Sequence, residues 1–293
     1  MIHPTSNEQR SGGRLALAWI GYDQWKRGEP HTAVGTILVR ERLWSAHLKN
    51  ARPLLVYLPP SYGQQAERRY PVIYMQDGQN LFDHGTSYSS EWRVDETMQR
   101  LSREGLEAIV VGIPNAGGQR LAEYGPFDDV YHGAGRADQY LAFLADTVKP
   151  LVDRDFRTLP GREHTGILGS SMGGLVSLYA FFRLPHLFSL AGVMSPSLWF
   201  ADHAIFDFVE GAPFNDGRLY MDVGTRELGT GHGDGTERSR RYYGSVRRMK
   251  RLLVHKGYRP RHTLLVVEDK WAAHNEDAWA SRLPIALRFL LGS

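Results

Sequence analysis

The sequence predicts one α/β domain built on a mostly parallel sheet, and two observations carry that prediction. Short apolar runs alternate with segments of helical spacing along the chain, with no linker-like stretch between them. Several of the runs are continuously apolar rather than alternating, as strands buried on both faces must be. The length of 293 residues, with 42% hydrophobic and 23% charged, suffices for a large core and excludes a disordered chain.

In order, the strand-like runs are 35–41, 54–59, 71–77, 108–114, 164–170, 190–195, 219–224 and 263–269. Helical spacing places Tyr140, Leu141, Leu144, Val148 and Leu151 on one side of 137–152. It does the same for Val246, Met249, Leu252 and Leu253 in 242–257, and for Trp279, Leu283, Ala286, Leu287 and Leu290 in 275–291. Residues 1–30 are polar and glycine-rich and read as a loosely held arm, which leaves 31–293 as the domain. Segments 115–135 and 224–240 read as long loops, a length that is usually functional.

Absence of cysteine excludes disulfides, thiolate nucleophiles and cysteine–zinc sites. Lys and Arg number 35 against 32 Asp and Glu, so overall charge gives no reason to expect nucleic acid or membrane binding. No apolar run approaches the roughly 18–20 residues of a spanning helix. After Arg10 and Arg14 the apolar stretch 15–20 is too short for an export signal, so a soluble cytoplasmic protein is expected.

Residues 164–182 carry the chemistry. A strand leads into Gly169-Ser170-Ser171-Met172-Gly173, and an amphipathic helix follows. This is G-x-S-x-G in the strand–turn–helix context that a nucleophile elbow requires. Side chains at the flanking glycines would meet neighbouring backbone, and the new helix offers unpaired N–H groups and its positive dipole end to developing negative charge. Ser171 is the expected nucleophile.

A hydroxyl needs a base, and the base needs an orienting carboxylate. In this architecture the chain order is Ser, acid, His, at the C-terminal ends of strands. Of the histidines after Ser171, His274 follows the last strand-like run by a short loop and is the expected base. The acid should follow 219–224. Glu227 is favoured for its reach and loop position, with Asp222 and Asp234 as the other candidates. The oxyanion donors are expected to be the N–H groups of Met172 and of Gln79, the latter in the loop after 71–77, where Gly78 allows a tight turn.

Several stretches resemble one family. They are VYLPPSY (56–62), YPVIYMQDGQNLFD (70–83), EWRVDE (91–96), VVGIPN (110–115), RLAEYGPF (120–127), GILGSSMGGL (166–175), SPSLWF (195–200), DVGTRE (222–227) and HNEDAW (274–279). In order and spacing they resemble the "Putative esterase" family of α/β-hydrolases. That family includes esterase D-like enzymes, enterochelin esterases, feruloyl and acetyl xylan esterases and mycolyltransferases. The resemblance implies a serine hydrolase of the α/β-hydrolase fold with Ser171 as nucleophile and His274 as base. It also implies Glu227 as the acid of a Gly-Thr-x-acid pattern, Gln79 as an oxyanion donor, and Trp199 lining the substrate pocket.

The expected activity is therefore hydrolysis of a small-molecule carboxylic ester, with a short acyl or aryl group. Acyl transfer from the same acyl-enzyme is the alternative, and a non-catalytic binding protein is a more distant one. No cofactor is expected. His232 and Asp234 lack the further ligands of a metal site, so no metal is expected either. Residues 237–262 hold ten Lys or Arg against the single Glu237. A solvated helix face is the default reading, and a basic rim favouring carboxylate- or phosphate-bearing substrates is the functional one.

Overall fold

A computed structural model of the chain describes residues 19–229 and 235–292. Among the described residues nine strands form one sheet. Three at one edge are antiparallel, namely β1 (Ile20–Gly21), β2 (Thr36–Ser45) and β3 (Asn50–Leu58). The parallel strands are β4 (Val72–Gln76), β5 (Ile109–Ile113), β6 (Thr165–Ser170), β7 (Leu190–Met194), β8 (Arg218–Gly224) and β9 (Leu264–Asp269). Their spatial order is β1-β2-β3-β5-β4-β6-β7-β8-β9. All eight expected runs are strands. β2 and β3 extend beyond the expected limits because they pair as one long hairpin down to Ser45 and Asn50, past an irregularity between Arg40 and Leu43.

The helices are α1 (Tyr22–Trp25), α2 (Val94–Ser102), α3 (Arg120–Tyr124), α4 (Ala137–Phe143), α5 (Lys149–Asp155), α6 (Met172–Arg183), α7 (Ile205–Gly211), α8 (Gly235–His255) and α9 (Glu276–Leu291). They cover both faces of the sheet. On one face Val56, Tyr74, Val111, Ile167, Val193 and Met221 pack against α4 to α8. On the other, Tyr57, Ile73, Met75, Val110, Leu168 and Tyr220 pack against α2 and α9. Successive residues of one strand thus enter opposite cores, which is why the runs are continuously apolar. No helix among the described residues is long and apolar enough to cross a membrane.

The expected helix over 137–152 is α4 and α5 joined by a wide turn at Leu144–Val148. Pro150 explains the widening, since it has no N–H for the carbonyl of Asp146 and its ring would strike that carbonyl. Segment 115–135 is not a plain loop, because it contains α3. That short helix is anchored by Glu123, fully buried, which pairs with Arg52 at 2.8 Å and accepts from Asn50 at 2.8 Å. Within the expected arm, residues 1–18 lie outside the described residues. Ile20 and Gly21 pair with Val39 and Leu38, and buried Tyr22 donates to Asp83 at 2.9 Å. The segment from residue 20 onward is therefore an edge of the sheet.

This edge segment covers Asp95, which is fully buried and accepts from the Val34 amide at 2.6 Å. Glu91 and Glu96 bring carboxylate oxygens within 4.8 Å of it and of each other. Burial, and then Glu96 beside it, push the Asp95 carboxyl well above the usual carboxylate range. With a folded pKa above the unfolded value of about 3.9, the stability this group contributes is complete below that pH and is lost as pH rises toward the folded pKa. Asp95→Asn keeps an acceptor for Val34 and removes the titration. Its melting temperature should match the wild type near pH 4 and exceed it by a growing margin from pH 5 to 9. A margin independent of pH in calorimetry would contradict this account.

Candidate active site

The turn between β6 and α6 holds Ser171 at φ 56°, ψ −121°, a conformation that L-residues rarely adopt. The glycines around it permit the turn. A Cβ on Gly169 would lie 2.8 Å from the Gly173 carbonyl carbon, and one on Gly174 would lie 2.8 Å from the Met194 carbonyl oxygen. Gly173 is less constrained than expected, since its added Cβ would meet side chains and not backbone, Gln76 at 3.2 Å and Asp77 Oδ2 at 3.5 Å. Ser171 N–H donates to Met194 at the end of β7, and the Ser171 carbonyl accepts from the amides of Leu175 and Ser197. Met172 is the first residue of α6, so its N–H has no acceptor within the helix and sits at the positive end of the dipole.

Glu227 and His274 arrive from the loops after β8 and β9. The Glu227 carboxylate is buried, with its Oε2 2.5 Å from His274 Nδ1. Its other oxygen accepts from the Gly224 amide at 2.5 Å and from the Ser195 hydroxyl at 2.7 Å. The His274 amide also donates to the Glu227 carbonyl, at 3.2 Å. Asn275 caps α9 by accepting from the Ala278 amide, which fixes where His274 leaves the loop. Ring edges of Trp279 and Tyr242, at centroid distances of 4.9 and 5.5 Å, bracket the imidazole. With Nδ1 engaged by Glu227, Nε2 is the nitrogen left to face a nucleophile. The Ser171 hydroxyl itself bonds to Ser197 Oγ at 3.2 Å and not to His274. Such contacts are commonly loose before substrate binds.

Asp222, the alternative acid, is hydrogen-bonded to groups other than His274. It is fully buried in β8, where its oxygens meet Arg282 Nε at 3.1 Å, the Ser195 amide at 3.0 Å and the Tyr220 hydroxyl at 3.0 Å. Asp234, the third candidate, and His232 lie outside the described residues. Arg282, from the middle of α9, also donates to the Ser195 hydroxyl at 3.0 Å. Ser195 therefore relays between the Arg282–Asp222 pair and Glu227. Burial works against the Arg282 charge, yet Asp222 beside it holds the guanidinium above its ordinary pKa. Sequence reasoning missed both Arg282 and Ser195. Ser195 heads the SPSLWF stretch, whereas nothing marks Arg282 beyond its place in the last helix.

Gln79 lies in the single helical turn Gly78–Asn80 after β4, where the Asn80 amide closes the turn on the Asp77 carbonyl at 2.8 Å and the Gly78 and Gln79 amides precede that bond. Its side chain accepts from the Asn115 amide at 3.1 Å. Asp77, at φ 54°, makes the bend itself, held by Arg120 at 2.7 and 2.8 Å and by Asn115 at 2.7 Å. Gly78 is thus needed for close approach and not for the turn expected of it. A Cβ there would stand 2.5 Å from the Gly112 carbonyl carbon and the Ile113 nitrogen of β5. Next in the turn, Asn80 donates to Glu276 at 3.4 Å, tying the loop to the start of α9 beside His274.

Trp199 is 42% exposed and lines a cavity of about 740 Å³ together with Tyr242 and the arginines of α8. Among the described residues, the group with the spacing of a metal-ligand set is Glu91, Asp95 and Glu96, on the α2 side and apart from Ser171. The geometry thus brings Glu227 and His274 together, sets Ser171 and Met172 on the elbow, and leaves Asp222 to Arg282. Arg282→Met removes one partner of a buried pair, which should cost about 3–5 kcal/mol in urea unfolding. Adding Asp222→Leu should recover most of that loss. A single-variant cost below about 1 kcal/mol would show that the pair does not support the site.

Comparison with known proteins places this geometry in a family. "Uncharacterized protein YbbA" of Bacillus subtilis (strain 168) is 25% identical over 258 residues, 85% of this chain and 96% of that protein. The "Siderophore enterobactin esterase" of Emericella nidulans is 27% identical over 188 residues, 56% of this chain and 61% of that protein. Among solved structures, "Siderophore hydrolase EstA from Aspergillus nidulans" superposes with a TM-score of 0.68 at 20% identity, over 86% of this chain and 94% of that one, which shows a shared fold. The sequence pattern described as "Putative esterase" matches residues 45–290. The chain belongs to the "Putative esterase" family and is an ester-hydrolysing enzyme of the α/β-hydrolase fold.

Proposed function

We propose that the protein is a serine carboxylic ester hydrolase working through an acyl-enzyme on Ser171, with residues 31–293 as one catalytic unit and a small-molecule ester as substrate. The observation that carries this reading is the 2.5 Å contact between buried Glu227 and His274 Nδ1, and a serine held at positive φ at the N-terminus of α6 supports it. In this reading the Ser171 hydroxyl turns from Ser197 to His274 Nε2. His274 takes its proton as Oγ attacks the ester carbonyl, and Glu227 stabilises the resulting imidazolium. The N–H groups of Met172 and Gln79 receive the oxyanion.

Collapse of the tetrahedral intermediate breaks the C–O bond of the alcohol, and His274 protonates the departing alkoxide. Water then attacks the acyl-enzyme with His274 as base, which releases the acid and restores Ser171. Trp199 offers an apolar face to the acyl or alcohol portion.

The test is hydrolysis of p-nitrophenyl acetate, butyrate and octanoate and of a feruloyl ester. Ser171→Ala should lower kcat by at least about 10⁴-fold, and Glu227→Gln by about 10⁴-fold, with the folded structure retained. Asp222→Asn should act mainly on stability. Activity that survives in Ser171→Ala would overturn the assigned nucleophile, and loss in Asp222→Asn with retention in Glu227→Gln would overturn the assigned acid.

A further inference from the structure

Residues 238, 241, 248 and 251 share one face of α8, and all four are arginines lining the cavity with Trp199 and Tyr242. The opposite side of the helix is engaged differently, with Arg247 and Lys250 at 3.7 and 4.0 Å from Glu268. The core side carries Ser239, Tyr242, Val246, Met249 and Leu253. No carboxylate among the described residues lines the cavity, although Glu237 reaches Arg241 from the adjacent turn. Arg248 lies over the Phe206 ring at 4.1 Å, which fixes its guanidinium. Like charges three residues apart destabilise a helix, so this row of cations is not explained by the stability of α8.

The cavity adjoins the reacting groups. Tyr242 lines it while touching the His274 ring and donating to the Ser195 carbonyl at 2.7 Å. Leu228 follows Glu227 directly, and Trp199 is two residues from Ser197, the hydrogen-bond partner of Ser171. Ser171 does not itself line this space, so a ligand held by the arginines would extend past Tyr242 and Trp199 to bring its other end to Ser171. Guanidinium groups match the paired oxygens of carboxylates and phosphates.

We propose that this cavity is the substrate's anion subsite, and that the natural ester carries two or more anionic groups, carboxylate or phosphate, on the part held by α8. The assignment of the reacting end rests on the serine-esterase reading, whereas anion binding at α8 does not. Wild type should hydrolyse p-nitrophenyl esters bearing a carboxylate or a phosphate on the acyl chain with kcat/KM at least about ten-fold above a neutral ester of matched length. That preference should shrink as salt is raised.

Arg248→Gln/Arg251→Gln should abolish the preference. Arg247→Gln/Lys250→Gln, with the same charge change on the side facing Glu268, should keep both the preference and the neutral-ester rate. The relative response to carboxylate and phosphate esters identifies the anion. Calorimetric titration of pyrophosphate and citrate into Ser171→Ala reads the subsite without catalysis, and binding there should vanish with Arg248→Gln/Arg251→Gln. Esters cleaved without anion preference, or a preference lost equally in both double variants, would overturn the subsite and leave the esterase reading standing. Anion binding that needs Arg248 and Arg251 in a protein that cleaves none of the esters would sustain the subsite and sink the esterase reading.

Discussion

A carboxylate taken out of water must be met by donors on every side, and the region around Ser171 is organised by how Glu227 is met. One oxygen takes the Gly224 amide and the Ser195 hydroxyl, and the other faces His274 Nδ1. Each contact fixes a different element. Gly224 is the last residue of β8, Ser195 follows β7, and His274 precedes α9. The carboxylate therefore locks three chain crossings at the C-terminal edge of the sheet, the edge where an open α/β sheet presents its binding crevice. Shifting it would release the imidazole and the backbone that supports Ser171 together.

Behind this sits a second charged pair that touches no reacting atom. Arg282 and Asp222 are buried against each other, and Ser195 joins them to Glu227. The arrangement gives β8 and the loop after it two acids with separate partners, Asp222 with a guanidinium and Glu227 with an imidazole. On the other flank, Arg120 and Asn115 hold Asp77 in its left-handed bend, which sets the turn carrying Gln79. Both flanks are charge-assisted and largely buried, so the protein itself holds the Glu227–His274 contact and the Gly78–Asn80 turn in place.

What was legible in the sequence was local or periodic. Continuous apolar runs announced β2 to β9, and the strand–glycine–serine–helix order announced the elbow. His274 was legible because it sits between the last strand and a capped helix start. Tertiary polar pairing was not legible. Arg282 lies among apolar residues of α9 and has no sequence mark of its partner sixty residues away. α3 hid in a polar stretch because Glu123 is satisfied by Arg52, from another part of the chain. β1 hid because two residues give no periodicity. The role expected of Gly78 was mistaken in cause, since composition shows a glycine but not the β5 backbone pressed against it.

The central claim is that Glu227, and not Asp222, holds His274. Proton NMR of the folded protein tests it most directly, because a proton held between an imidazole nitrogen and a carboxylate at 2.5 Å resonates far downfield of the amides. The account predicts one such resonance in wild type, absent in Glu227→Gln and His274→Ala and present in Asp222→Asn. A resonance that persists in Glu227→Gln and disappears in Asp222→Asn would contradict it.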